Sequence, residues 1–95
     1  MEKIYISGKI TGLDNYAELF KNAQNLLIEQ GYEVINPVEL DHTGHDQSWE
    51  SFMKVDLKAL INCDSIFMLK NWNKSKGAIV EYHLARDLNM NIYYQ

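Results

Sequence analysis

The sequence predicts a single α/β domain over residues 1–95, built on a doubly wound parallel sheet of about four strands. Three observations carry this prediction. Short runs rich in β-branched and aromatic residues recur along the chain, and segments with apolar residues at helical spacing separate them. The alternation is strict, β-α-β-α-β-α-β, and right-handed crossovers turn such an order into a parallel sheet with helices on both faces. The run Ser65-Ile66-Phe67-Met68-Leu69 is almost continuously apolar, as a central strand covered on both faces must be.

In chain order, Lys3-Ile4-Tyr5-Ile6-Ser7 is the first strand, and Gly8-Lys9-Ile10-Thr11-Gly12 ends it in a glycine-bounded loop. Asp14 or Asn15 caps the first helix, and Asn15 with Glu18 has the spacing of a capping box. Tyr16, Phe20, Ala23 and Leu27 form its buried stripe, and Gly31 stops it. Tyr32-Glu33-Val34-Ile35-Asn36 is the second strand, closed by Pro37. The polar stretch from Val38 to Gln47 reads as a solvated loop or a lid over a pocket. His42 and His45 within it are three residues apart, but no third ligand completes a metal pattern, so no metal is expected. Ser48 caps the second helix, whose apolar face holds Trp49, Phe52, Met53, Leu60 and Cys63. The third strand spans 64–69. Ser75 caps the third helix after the polar loop Asn71-Trp72-Asn73-Lys74, and Asn91-Ile92-Tyr93-Tyr94 is the last strand.

Two residues break this pattern. Gly77, Glu81, Leu84, Ala85 and Leu88 share one face of the third helix, and Glu81 is the one charged member. Asp56 likewise interrupts the apolar face of the second helix. A carboxylate in an apolar stripe is costly unless it is paired or used. Gly77, in the first helical turn, implies close approach of something to the backbone. A flavodoxin- or Rossmann-like strand order, 2-1-3-4, puts ligands beyond the carboxyl ends of the strands at the switch point. Residues 7–12, the loop after Asn36, residues 70–75 and the head of the third helix then share one rim.

Composition narrows the function classes. A net charge of −4 argues against a nucleic-acid polymer as partner, because polymer binding needs many Lys and Arg contacts to phosphate. One mononucleotide needs only a local positive pocket. The single cysteine, Cys63, excludes an internal disulfide and fits a reducing cytoplasm. No apolar run approaches the length of a membrane span. The sequence carries no Walker, GxGxxG or GxSxG motif. Two carboxylates facing one rim, beside a glycine loop and a helix N-terminus, suit acid–base or nucleophilic work, including retaining glycosyl transfer. Trp49 or Trp72 can stack a base, or serve as a core or surface aromatic.

Tyr5-Ile6-Ser7-Gly8, the Asn36-Pro37 pair, Asp56-Leu57 followed by Cys63-Asp64, and Ser75-x-Gly77-x-x-x-Glu81 together resemble the nucleoside 2-deoxyribosyltransferase superfamily, and most of all its small branch of short β/α chains. The superfamily also contains nucleotide N-glycoside hydrolases. The resemblance implies that Glu81 is the nucleophile forming a glycosyl-enzyme ester and that Asp56 handles the proton or positions the sugar. It implies that Tyr5 orients the nucleophile or sugar, and that Gly8 lets base or sugar approach the backbone. Ser75 would bind a 5′-hydroxyl or 5′-phosphate beside Gly77. Lys9 stands where the family carries Pro or Ser, and with Ile10 it would face an anionic substrate. The expected function is cleavage or transfer of the N-glycosidic bond of 2′-deoxynucleosides or their 5′-monophosphates, with no cofactor. The alternative is a nucleotide-binding or sensing module of the same fold without catalysis. Ile79, away from the Glu81 stripe on the face of His83 and Arg86, points to a homodimer, or a tetramer built from dimers.

Overall fold

A computed structural model describes residues 1–95, and its topology is the predicted one. In chain order the elements are β1 (Lys3–Ser7), α1 (Tyr16–Glu29), β2 (Glu33–Ile35), α2 (Trp49–Leu60), β3 (Ser65–Met68), α3 (Lys76–Asp87) and β4 (Asn91–Tyr94). Short 3-10 turns at Pro37–Glu39 and Trp72–Lys74 lie in the connections. All strand pairs are parallel, in the order β2-β1-β3-β4, and Tyr5 of β1 lies opposite both Ile35 of β2 and Ile66 of β3. The chain reverses its winding between β1 and β3, so the crevice at their carboxyl ends is the switch point.

Strand alternation divides the core into two layers. Ile4 and Ile6 of β1, with Phe67 and Leu69, pack against Phe20, Ala23 and Leu27 of α1. Tyr5, Ile66 and Met68 face the other way, against Leu60 of α2 and Ala78 and Ala85 of α3. One helix therefore covers one face and two cover the other. Tyr5 and the equally buried Ser7 share the α3 side of β1.

Local chemistry explains most boundaries. The Ser48 hydroxyl accepts from Ser51 N–H, and the Ser75 hydroxyl accepts from Ala78 N–H, as expected of N-caps. Gly31, at φ +93°, turns the chain after α1, and the Tyr32 N–H closes that turn on the Leu27 carbonyl. The capping box at Asn15 does not form. Asn15 has φ −102° and ψ 21°, outside the extended region a capping side chain needs, and its amide caps nothing. The apolar face of α3 is also shorter than its sequence suggests. The helix ends at Asp87, Asn89 turns left-handed at φ +56°, and Leu88 is left 52 % exposed.

The stretch after β2 departs from the solvated loop expected there. Its 3-10 turn is capped by the Asn36 side chain on Val38 N–H. Beyond it, His42 stacks on Phe52 with ring centroids 4.4 Å apart, and His45 meets the same ring edge-on at 4.9 Å. The aromatic ring at position 52 gives the loop an apolar surface to fold onto, so both imidazoles are half-buried.

Gly8, where β1 leaves the sheet, is dictated by packing. A β-carbon at this position would lie 2.6 Å from Leu69 Cδ1 and 2.9 Å from its Cβ, and Leu69 is buried with little room to move. Gly8→Ala is expected to lower stability by about 1–3 kcal/mol through overpacking, seen as a fall of several degrees in melting temperature. An unchanged melting temperature would show that Leu69 yields freely.

Candidate functional site

A cavity of about 730 Å³ opens at the carboxyl ends of β1 and β3, large enough for a nucleotide-sized ligand. The loop after β1 supplies Gly8, Lys9 and Ile10, α2 supplies Trp49, Phe52, Met53 and Asp56, and the head of α3 supplies Ser75, Gly77 and Glu81. Tyr5 closes the floor. The rim is held by a hydrogen bond of 2.9 Å from Lys9 N–H to Asn71 Oδ1, which joins the loop after β1 to the loop after β3.

Glu81 lies 5 % exposed on the first turns of α3, directly over β1. The Tyr5 phenol donates to its Oε2 at 2.7 Å, and the Ser7 hydroxyl donates to its Oε1 at 2.7 Å. Both carboxylate oxygens are thus met by donors from alternate positions of one strand. Burial raises the Glu81 pKa to about 7, against the two hydroxyl donors, which lower it, and with a smaller upward push from the charge of Asp56. The Tyr5 phenol is pushed well above its usual range, first by burial and then by the neighbouring carboxylates, so it remains a proton donor.

Asp56 is 9 % exposed on α2. Burial raises its pKa to about 6, while His42 pulls it down. His42 Nε2 stands 3.1 Å from Asp56 Oδ1, and that oxygen has no well-aligned hydrogen-bond donor, so the contact is mainly one of charge. The two carboxylate helices come close because Gly77 lacks a side chain. A β-carbon there would sit 3.1 Å from Met53 Sδ, so the close approach inferred from sequence is that of α2.

The cavity also has a basic rim. Lys9, Lys74 and Lys76 line it, in a chain whose net charge is −4. Lys76 Nζ lies 3.9 Å above the Trp49 ring, a cation–π contact at the mouth of the cavity. The N–H groups of Lys76 and Gly77 precede the first bond of α3, from Ile79 N–H to the Ser75 carbonyl, so the helix offers them to an anion.

Of the residues singled out from sequence, Tyr5, Gly8, Lys9, Ile10, Trp49, Asp56, Ser75, Gly77 and Glu81 all line this cavity. Trp72 does not. It stacks on Tyr82 at 4.6 Å, with the ring planes 27° apart, and packs against the α3 side of the core, so base stacking is not open to it there. Gly8 is a glycine because of Leu69, a packing reason independent of any ligand. Two residues that contact the carboxylates were given no role there in the sequence reading: Ser7, named only in a motif and on the rim, and His42, weighed only as a metal ligand. Ser7 carried a usable signal, since it stands two positions from Tyr5 on a strand and must share its face. His42 carried none, because its contact with Asp56 joins a loop to a helix.

The sequence matches the family described as Domain of unknown function (DUF4406) over residues 2–94. No curated protein matches the chain. Among solved structures, the fold is similar to that of a 2-deoxyribosyltransferase from the psychrotolerant bacterium Bacillus psychrosaccharolyticus, with a TM-score of 0.77 and 20 % sequence identity. The superposition covers 97 % of this chain and 70 % of that one. The resemblance carried by the motifs therefore holds at the level of the fold.

The buried carboxyl makes stability depend on pH. With a folded-state pKa near 7 against 4.5 for an ordinary glutamate, Glu81 favours folding while protonated, and that contribution is lost as pH rises through about 7. Glu81→Gln is expected to flatten the fall in unfolding free energy between about pH 5 and about pH 8, by an amount on the order of 2–4 kcal/mol, read by denaturant titration at each pH. Parallel curves for wild type and Glu81→Gln would contradict the assignment.

Proposed function

The chain belongs to the DUF4406 family, and on that premise we propose that residues 1–95 act as a nucleoside 2-deoxyribosyltransferase-like domain. It would cleave the N-glycosidic bond of a 2′-deoxynucleoside 5′-monophosphate or the free nucleoside. The sugar passes to another base or to water. The single observation that carries this reading is Glu81: a buried carboxylate on the cavity wall with a hydroxyl on each oxygen.

A carboxylate attacking an anomeric carbon must reach it with the right oxygen, be ionised, and be poorly solvated. Tyr5 and Ser7 fix the orientation of Glu81, and their hydrogen bonds favour the charged form that attack requires. As the C1′–N bond breaks, its electron pair moves to the leaving nitrogen, which takes a proton from Asp56. The ester formed on Glu81 is then opened by water or an acceptor base, and the proton released returns to Asp56. A carboxyl group with a pKa raised to about 6 by burial can hold that proton near neutral pH. Trp49, 38 % exposed at the mouth, offers a face for the base. The Lys76 and Gly77 N–H groups with the ammonium groups of Lys9, Lys74 and Lys76 suit a 5′-phosphate.

Incubation with deoxynucleosides and their monophosphates, followed by chromatography, is expected to show release of free base. The rate should pass through a maximum between about pH 6 and 7, because Glu81 must be ionised while Asp56 still holds its proton. Glu81→Ala is expected to lower it by roughly a thousandfold or more. Monophosphates are expected to bind about ten- to a hundredfold more tightly than nucleosides, the worth of one charge-assisted contact. Saturable binding that survives Glu81→Gln, without base release, would favour the binding-module reading instead.

Assembly belongs to the same proposal. On α3, Val80 is 37 % exposed beside the half-buried Ile79, an apolar surface close to the cavity. A homodimer, or a tetramer of dimers, is expected in light scattering at micromolar concentration, and a monomeric mass unchanged by nucleotide would refute it.

A further inference from the structure

Lys76 and Trp49 meet across the mouth of the cavity. Trp49 opens α2 and is 38 % exposed, Lys76 opens α3 and is exposed, and both line the cavity. Lys76 Nζ stands 3.9 Å above the Trp49 ring. The indole is set in the seam between the two helices, since a β-carbon on Gly77 would come within 3.9 Å of Trp49 Nε1. Farther along α2, Asp56 is 9 % exposed and its buried Oδ1 has no hydrogen-bond partner, a polar atom left for a ligand to meet.

The Lys76 ammonium has two kinds of partner within reach of this cavity, a ring and an anion. Lys3 and Lys21 pair with Glu33 and Glu39, whereas no carboxylate lies within ion-pair distance of Lys9, Lys74 or Lys76. A cation in the first turn of a helix opposes the macrodipole, so Lys76 is helped there by the negative face of a ring or by an anion. It cannot hold both in one place. An ammonium 3.9 Å above the indole fills the space in which a stacked base would lie, so the two exclude each other on that face. The contact is also weak enough to yield. A cation–π pair at an exposed site shifts an equilibrium by about two- to fivefold, and a charge-assisted bond to phosphate shifts one by about ten- to a hundredfold.

We propose that Lys76 makes base stacking on Trp49 conditional on a 5′-phosphate, and so sets the choice between nucleotide and nucleoside. The proposal rests on the nucleotide-directed reading of the cavity given above and uses none of its cleavage steps. A free nucleoside must displace the ammonium from the indole and offers it no anion in return. A nucleoside 5′-monophosphate receives the displaced ammonium on its phosphate, and its base then meets an open ring. Stacking and phosphate binding are thereby linked. Each favours the arrangement in which Lys76 has left Trp49, so each strengthens the other. No covalent bond changes, and Lys76 keeps its charge throughout. Lys9 and Lys74 add attraction for phosphate without this coupling, because the cation over the Trp49 ring is that of Lys76.

Calorimetry with the common 2′-deoxynucleosides and their 5′-monophosphates tests this in Glu81→Gln, which cannot form the ester, with and without Lys76→Ala. Lys76 is exposed and alanine is a good helix former, so the fold is retained. Nucleosides should bind about two- to fivefold more tightly once Lys76 is replaced, although a positive charge beside the ligand has been removed. Monophosphates should bind about tenfold more weakly. With Trp49→Leu added, Lys76→Ala should no longer tighten nucleoside binding. In wild-type protein, 2-deoxyribose 5-phosphate should make Trp49 more accessible to quenching by acrylamide, and 2-deoxyribose should not. Trp72, stacked on Tyr82, supplies a constant background. Nucleoside affinity unchanged or weakened in Lys76→Ala, the same tightening with Trp49→Leu present, monophosphate affinity that does not fall, or quenching indifferent to the sugar phosphate would each overturn the gate. None of these readouts uses turnover. A wild-type protein that binds these ligands and releases no base would overturn the cleavage reading alone, and one that binds none of them would overturn both.

Discussion

The hydrogen bonds from Tyr5 and Ser7 to Glu81 are the constraint on which the rest of the structure turns. An ionisable carboxyl almost without solvent contact is unfavourable by several kcal/mol when left unpaired. Here its partners come from the central strand β1 and the carboxyl from α3, far apart in sequence. Satisfying the group therefore fixes the position of α3 over the sheet. The alternation of β1 does the remainder, sending Ile4 and Ile6 into the α1 layer and leaving Tyr5 and Ser7 toward the cavity.

The electrostatics of the cavity follow from that placement. Burial works against charge on Glu81 and Asp56, and the charge of Asp56 adds to the difficulty of ionising Glu81. Hydroxyl donors ease the ionisation of Glu81, whereas a histidine eases that of Asp56, so the two carboxyls are tuned by different chemistry. The lysines gather at the rim, close to the first turn of α3, while the carboxylates lie on the floor. A ligand with an anionic end and a reactive polar centre meets both.

Small residues make these distances possible. Gly8 allows β1 to leave the sheet against Leu69, and Gly77 allows α3 to approach Met53 of α2. Neither glycine has the positive φ that would make its choice conformational. In both places the missing β-carbon lets one packed element come near another, which narrows the space between the loop after β1 and the helices that bear Asp56 and Glu81.

The sequence alone determined the element order, because periodicity is local and survives without tertiary information, and the parallel 2-1-3-4 sheet followed from that alternation only by analogy with flavodoxin- and Rossmann-like folds. It also marked Glu81 and Asp56, since a charge inside an apolar stripe is visible by counting. What the tertiary structure decided depends on pairs distant in the chain. It turned Trp72 onto Tyr82 and away from the cavity, ended the apolar face of α3 before Leu88, and left Asn15 without a capping bond. It folded a polar loop onto Phe52 and so brought His42 to Asp56. Residue patterns report which face of an element a side chain occupies. Only packing determines what that face meets, because the contact depends on two backbones whose separation no single stretch of sequence encodes.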